Sequence, residues 1–133
     1  MTMVSSPAMA ARILVVDDDP AMRRLLTVIL ESQDYQVQLA SSVANALEAI
    51  AQQRPDVVCC DLMMPEVSGL DFLEQMRENP ELAGIPVIVV SATGEEEMIH
   101  QARALGAFAH LAKPFSKTAL LALIESALEA TEE

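Results

Sequence analysis

The 133-residue chain is poor in aromatic residues and in cations. It has no Trp, one Tyr and three Phe, and 8 Lys and Arg stand against 20 Asp and Glu. A core built from this chain must therefore be aliphatic. The net charge of −12 argues against nonspecific nucleic-acid binding and against attraction to anionic membranes, because both need a surface of Lys and Arg. A divalent cation or a basic protein partner remains compatible with such a chain.

Cysteine is also scarce, and the two that occur, Cys59 and Cys60, are adjacent. A structural disulfide between neighbours is geometrically unfavourable, so both are predicted to be small buried hydrophobes. Free cysteines without a secretory signal are typical of a reducing cytoplasm. No run approaches the roughly 18 apolar residues of a membrane span. We expect one domain over residues 11–130, with a disordered tail at 1–10 and a short tail at 131–133.

Apolar runs and amphipathic segments alternate along the chain. Residues 57–60 are four apolar residues without alternation, which is typical of a strand buried on both faces. Five such strand-helix units with short connections predict an α/β fold, a parallel sheet with helices on both faces. The strands are predicted at residues 13–16, 35–39, 57–61, 85–90 and 107–112. The helices are predicted from 20 to an end near 31–34, and at 43–53, 69–78, 95–105 and 117–130.

Polar side chains stand where four of these strands end. They are Asp17 and Asp18 after the first, Asp61 on the third, Ser91 after the fourth and Lys113 after the fifth. Because the strands are parallel, their carboxyl ends share one edge, where open α/β sheets bind ligands. One such residue is equally well explained as the start of a turn, but four on one edge predict a site.

The predicted site has the parts needed to hold a phosphoryl group. Two carboxylates about 5 Å apart repel by roughly 3 kcal/mol at an effective dielectric near 20, so three need a cation or raised pKa values. Oxygen ligands in an open cleft suit Mg²⁺. Lys113 adds a compact positive charge and Ser91 a hydroxyl donor. An Asp can attack phosphorus and carry an acyl phosphate.

These segments together resemble the receiver domain of two-component response regulators, in particular the stand-alone, chemotaxis-receiver-like kind. The resemblance rests on residues 13–19, 61–69, 89–92 and 113–115, and it covers about residues 12–130. It implies a flavodoxin-like, doubly wound five-stranded parallel sheet in the order 2-1-3-4-5 with five helices. A fragment of a longer regulator would show the same motifs.

The resemblance also implies roles for single residues. Asp61 accepts a phosphoryl group from a histidine kinase or a histidine phosphotransfer protein. Asp18, Asp61 and the main-chain carbonyl of Met63 ligate Mg²⁺, and Asp17 acts through water. The phosphoryl group is bound by three residues: Lys113, with an expected cis bond to Pro114, Ser91 and Ala92. Ser91 moves toward the phosphate as part of the switch.

Four positions differ from the family pattern or vary within it. His110 stands where the family most often has Tyr or Phe; it is either a switch side chain or a surface histidine on an edge strand. Met63 and Thr93 flank the site and are expected to tune how water reaches the acyl phosphate. Since the Met63 side chain cannot orient water, slow to moderate self-dephosphorylation is expected. Ser68 replaces the commoner Asp, with an expected effect on the loop only.

The function predicted is a phosphorylation-dependent signalling switch, not an enzyme beyond its own phosphoryl transfer and slow dephosphorylation. The responding surface is expected to be the fourth helix, fifth strand and fifth helix, controlling an unidentified protein partner or a homodimer. The last helix carries more leucines than one core-facing stripe needs, which is explained either by such an interface or by ordinary exposure. The alternative is a haloacid-dehalogenase-like phosphatase with Asp17 as nucleophile, although Ala21 departs from that motif.

Overall fold

The computed structural model describes residues 10–64, 67–92 and 94–131. They form five strands alternating with five helices. The strands are β1 (Arg12–Val16), β2 (Gln36–Ala40), β3 (Val57–Asp61), β4 (Val87–Ser91) and β5 (Ala109–Ala112). The helices are α1 (Pro20–Glu31), α2 (Val43–Gln52), α3 (Gly69–Glu78), α4 (Glu96–Ala104) and α5 (Lys117–Thr131). The strands pair in parallel in the order β2-β1-β3-β4-β5, which confirms the predicted topology.

Two apolar cores lie on opposite faces of the sheet. One contains buried residues of α2, α3 and α4, and the other contains buried residues of α1 and α5. Successive residues of a strand alternate between them: Cys59 packs in the α1/α5 core and Cys60 in the other. Both are free thiols, and burial raises the pKa of Cys59 to about 12 and that of Cys60 above its ordinary value. They are neutral buried hydrophobes, as predicted.

Helix starts follow the polar residues that precede them. Asp19 caps α1 by accepting a hydrogen bond from the Ala21 N–H, and Pro20 is the first helical residue. Ser42 caps α2 and Ser116 accepts from the Ala119 N–H at the start of α5. Each side chain satisfies an N–H that has no partner inside its helix.

Ser68 has a larger role than the expected effect on a loop. It is the N-cap of α3, and with Asp71 it forms a capping box: the Ser68 hydroxyl accepts from the Asp71 N–H, and the Asp71 carboxylate accepts from the Ser68 N–H. This arrangement satisfies two main-chain donors at once. Ser68 therefore determines where α3 begins, immediately behind the loop that follows Asp61.

The last two strands begin later than predicted. β4 begins at Val87, after Pro86, which has no N–H for a sheet hydrogen bond. The predicted start of β5 at residue 107 is too early because residues 106 and 107 complete the end of α4: Gly106 lies at φ 97°, and the Ala107 N–H donates to the Ala102 carbonyl at 3.0 Å. Pairing with β4 starts at the Phe108 N–H, which donates to the Val87 carbonyl at 2.8 Å, and β5 itself begins at Ala109. A residue whose N–H closes a helix cannot offer it to the sheet.

The helices α1 and α5 bury different shares of their apolar side chains. On α1, Leu26 and Leu30 are buried, whereas Leu25 is 46% exposed. On α5, Leu121, Leu123 and Leu128 are partly buried against the α1/α5 core. The large exposed hydrophobic side chains of the described residues are Leu25, Val28, Leu39, Met63, Val67 and Phe108, none of them on α5. The leucines of α5 are thus explained by internal packing and do not argue for a dimer.

Among the described residues, no helix is both long enough and apolar enough to traverse a bilayer. The tail predicted at residues 1–10 and the one at 131–133 lie outside the described residues, except residue 10 and the backbone of Thr131.

Candidate functional site

Three carboxylates meet at the carboxyl edge of the sheet. Asp17 and Asp18 follow β1, and Asp61 is the last residue of β3, the strand next to β1. One oxygen from each of the three lies within 4.8 Å of the others. Asp17 is 2% and Asp61 7% exposed, whereas Asp18 is exposed to solvent. The structure therefore brings the predicted acids together in a cluster open on the Asp18 side.

Main-chain hydrogen bonds hold the two buried acids in place. The Asp17 N–H donates to the Ala40 carbonyl, and its Oδ1 accepts from the Asp19 N–H at 2.9 Å. The Asp61 Oδ1 accepts from the Met63 N–H at 3.2 Å. Each carboxylate accepts a hydrogen bond from the main-chain N–H two residues later. Its position is therefore fixed by the main chain at the strand end, unlike that of a mobile surface side chain.

Lys113 follows the edge strand β5 and faces the cluster along the same carboxyl edge of the sheet. Its Nζ lies 3.8 Å from the Asp61 Oδ2, and its peptide bond to Pro114 is cis, as expected. The Lys113 N–H donates to the Ser91 carbonyl at 2.7 Å, which ties the residue after β5 to the end of β4. Residues 17, 18, 61 and 113, predicted to share the carboxyl edge of a parallel sheet, thus lie close together in the structure.

Burial and mutual repulsion weaken the acidity of the two inner carboxyls. Burial, together with the neighbouring Asp17 charge, raises the pKa of Asp61 to about 6, opposed by Lys113 and the Met63 N–H. Burial also raises the pKa of Asp17, opposed chiefly by its hydrogen bond from Asp19. Holding both carboxylates ionised in this cluster is therefore costly without a cation.

The cluster fits a divalent cation on the chemistry of its donors. Three carboxylates within reach of one point, two of them with raised pKa values, form an oxygen-only and partly open ligand set. Mg²⁺ prefers such sites, because it keeps several waters and takes few protein ligands. Asp17, Asp18 and Asp61 are the side chains that would hold it.

The β4 end of the site contains an unpaired polar group. Ser91 is fully buried, and its Oγ has no hydrogen-bond partner among the described residues. Buried hydroxyls nearly always have partners, so an unpaired one at the carboxyl end of β4 is a candidate donor for a ligand. The next residue, Ala92, donates its N–H to the Glu95 carboxylate at 3.0 Å.

The remaining predicted positions are placed less informatively. His110 is exposed on β5, in register with Val89 of β4. The Met63 side chain is 54% exposed beside Asp61. Thr93 lies outside the described residues. The switch role of His110 and the tuning roles of Met63 and Thr93 stay predictions.

Sequence reasoning missed two residues that shape this site. A Cβ on Gly69 would lie 2.6 Å from the Asp61 carbonyl oxygen and 2.9 Å from the Leu62 Cα, so only glycine allows α3 to begin so close to the strand end. The second is Glu95, whose carboxylate accepts a hydrogen bond from the Ala92 N–H. No local motif signalled this contact, because Ala92 caps no helix and Glu95 is itself the N-cap residue of α4.

Comparison with known proteins agrees with this geometry. Residues 13–125 match the family described as response regulator receiver domain. The chain therefore belongs to the receiver domains of response regulators.

Its relatives differ in length. The chain is 37% identical over 107 residues to sporulation initiation phosphotransferase F of Bacillus subtilis, covering 80% of this chain and 85% of that protein. It is 32% identical to the phosphate regulon transcriptional regulatory protein PhoB of Pseudomonas aeruginosa, covering 90% of this chain but 52% of that protein. It likewise spans about half of the DNA-binding regulator RpaA of Synechocystis.

Solved structures show the same fold. A putative response regulator from Chloroflexus aurantiacus superimposes with a TM-score of 0.86 at 28% identity, covering 90% of this chain and 98% of that one. The chemotaxis protein CheY4 of Vibrio cholerae superimposes with a TM-score of 0.84 at 28% identity, covering 90% and 99%. The flavodoxin-like receiver fold predicted from the motifs is confirmed.

Proposed function

We propose that the chain accepts a phosphoryl group on Asp61, from a histidine kinase or a histidine phosphotransfer protein, and thereby switches a surface that a protein partner reads. The observation that supports this most is the convergence of Asp61 with Asp17, Asp18 and Lys113 at one sheet edge. Asp61 is the carboxylate that both the acids and the lysine approach.

In the transfer, an Asp61 carboxylate oxygen attacks phosphorus. The O–P bond of an acyl phosphate forms, and the bond from phosphorus to the donor's imidazole nitrogen breaks, leaving that nitrogen with the electron pair. Lys113, 3.8 Å from the Asp61 Oδ2, is placed to offset the charge on the phosphoryl oxygens. The Asp61 carboxyl, with a pKa of about 6, is largely ionised at neutral pH and ready to attack.

Magnesium completes the site in this proposal. Asp18 and Asp61 would hold the ion with the Met63 carbonyl, and Asp17 would hold it through water. When bound there, Mg²⁺ supplies positive charge that balances the carboxylates and the transferred group. The chain's own residues supply the nucleophile, the lysine and the hydrogen-bond donors.

The phosphoryl group then acts through the β4 end. It adds roughly −1.5 to −2 charge, beside a buried hydroxyl, that of Ser91, with no partner among the described residues. A bond from this hydroxyl to the phosphoryl group would favour one of two arrangements of α4, β5 and α5. His110 is the exposed side chain on β5 proposed to respond, and a homodimer or an unidentified protein is the proposed reader.

Labelling with a small phosphodonor tests the proposal directly. Incubation with acetyl phosphate and Mg²⁺, followed by mapping of the modified aspartate by mass spectrometry, is expected to find Asp61. Asp61→Asn and removal of the metal with EDTA should each abolish labelling. Asp34→Asn is the matched control, since Asp34 lies after α1 at φ 66°, a conformation that Asn tolerates. Labelling that persists in Asp61→Asn would overturn the assignment.

The same labelling experiment distinguishes the proposed receiver function from the dehalogenase-like alternative. That reading makes Asp17 the labelled residue, whereas the family match over residues 13–125 favours Asp61. Asp17→Asn should slow labelling through the loss of metal affinity while the label, where it forms, stays on Asp61.

A further inference from the structure

The main-chain N–H of Ala92, the residue after Ser91, already has a hydrogen-bond partner. The Ala92 N–H donates to the Glu95 Oε1 at 3.0 Å. Ala92 comes directly after the end of β4, whose last two carbonyls accept from the Leu62 and Lys113 N–H groups at 3.0 and 2.7 Å. The Ala92 N–H therefore follows a strand end that is hydrogen-bonded both to the residue after Asp61 and to Lys113.

Glu95 differs from the acids beside it. It is half-buried, whereas Glu96 and Glu97 are exposed. Glu95 stands at the N-cap of α4 but makes no side-chain bond to that helix. Gly94, at φ 95°, turns the chain so that the carboxylate reaches back three residues. The Glu95 carboxylate thus accepts a hydrogen bond from Ala92 and does not cap α4.

The Glu95 carboxylate, bonded to the Ala92 N–H, is chemically similar to a phosphoryl group as a hydrogen-bond acceptor. Both offer a charged oxygen, and charge-assisted hydrogen bonds to such oxygens are stronger than neutral ones. One N–H cannot serve both ligands well, and the two anions repel. The resemblance to receiver domains implies that Ala92 binds the phosphoryl group, and a phosphoryl group on Asp61 would then compete with Glu95 for this donor.

We propose that Glu95 is a built-in competitor of the phosphoryl group: its carboxylate holds the Ala92 N–H in the unphosphorylated protein and is displaced when Asp61 is phosphorylated. Once displaced, Glu95 can cap α4 or leave its half-buried position, so the exchange carries the signal from the site to the first turn of α4. This inference rests on the proposed phosphorylation of Asp61.

Beryllofluoride, a stable mimic of the acyl phosphate, tests the competition. Titration calorimetry with Mg²⁺ present should show that Glu95→Ala binds it about tenfold more tightly than the wild type. Glu95→Gln keeps an acceptor oxygen without its charge and should bind with intermediate affinity. Glu96→Ala and Glu97→Ala are the matched controls and should bind like the wild type. Equal or weaker binding by Glu95→Ala overturns the inference.

The Ala92 amide resonance gives a readout that a merely structural role for Glu95 would not produce. In the free proteins its NMR shift should differ between the wild type and Glu95→Ala; with saturating beryllofluoride the shifts should converge, because the same mimic is then the partner. Shifts that remain apart at saturation overturn the displacement. If the wild type binds no beryllofluoride at all, the proposed function fails instead, so the two failures are distinguishable.

Discussion

The two halves of the site are built differently. The acidic half consists of Asp17, Asp18 and Asp61 with Lys113, and the responding half consists of Ser91, Ala92, Glu95 and His110. In the acidic half the buried carboxylates are fixed by main-chain donors, and the lysine lies 3.8 Å from Asp61. In the responding half a hydroxyl lacks a partner among the described residues, one amide is held by a local carboxylate, and the histidine is exposed.

This difference agrees with the proposed division between phosphoryl transfer and the response to it. A phosphoryl acceptor needs charges held in position before the reaction, since preorganised groups need no rearrangement at the moment of transfer. A switch needs groups whose partners can be exchanged at small cost. The acidic half meets the first requirement and the responding half the second, so rigid and exchangeable contacts lie at the ends of neighbouring strands.

The largest effect is expected from removing the positive charge of Lys113 from the acidic half. Lys113→Gln should slow labelling by acetyl phosphate about a hundredfold, because the charge on the phosphoryl oxygens is no longer offset. Lys117→Gln, an exposed lysine at the start of α5, is the matched control and should label normally. Labelling rates from quenched time courses provide the measurement. An unchanged rate in Lys113→Gln would mean that the lysine has no part in the transfer.

Gly69→Ala should show how closely the acidic half is packed. The new Cβ would meet the Asp61 carbonyl oxygen at 2.6 Å and the Leu62 Cα at 2.9 Å, and relieving this overlap should cost about 1–3 kcal/mol of unfolding free energy. At Gly84 the nearest atom to such a Cβ is 3.9 Å away, so Gly84→Ala is the control with little loss. Urea unfolding measures both; equal stabilities would contradict the close approach.

Asp61→Asn should stabilise the metal-free protein. The pKa of Asp61 is raised to about 6 by burial and by Asp17, so ionisation costs folding free energy that is absent below about pH 4, grows between about pH 4 and 6 and is complete above that. The variant should gain about 1–2 kcal/mol near pH 7 and almost nothing near pH 4. Urea unfolding in EDTA at both pH values is the measurement, and a gain that does not vary with pH would contradict it.

The smallest effect is expected at the rim of the acidic half. The Met63 side chain is 54% exposed and cannot orient a water molecule toward the acyl phosphate. Met63→Asn should therefore speed dephosphorylation about threefold, by supplying a polar group. Decay of the labelled protein after removal of the donor measures the rate. Rapid decay in the wild type that Met63→Asn leaves unchanged would refute a tuning role.

Much of this arrangement could be predicted from the order of residues. An apolar run ending in Asp61, polar residues after three further strands, and Ser or Asp before four of the five helices are local patterns, and local hydrogen bonding and strand periodicity make them reliable. Parallel pairing then requires the strand ends to share one edge. The residues of the acidic half were all predicted on this basis.

The remainder depended on contacts between segments far apart in sequence, or on side-chain choices that sequence leaves open. The partial burial of the α5 leucines could not be predicted, because a helical repeat shows which side chains share a face but not how much of that face neighbours cover. The fit of Gly69 against Asp61 arises only when α3 is laid on β3. Likewise, the acidic run 95–97 allows three solvated carboxylates, and only the folded turn through Gly94 directs one of them to the Ala92 amide.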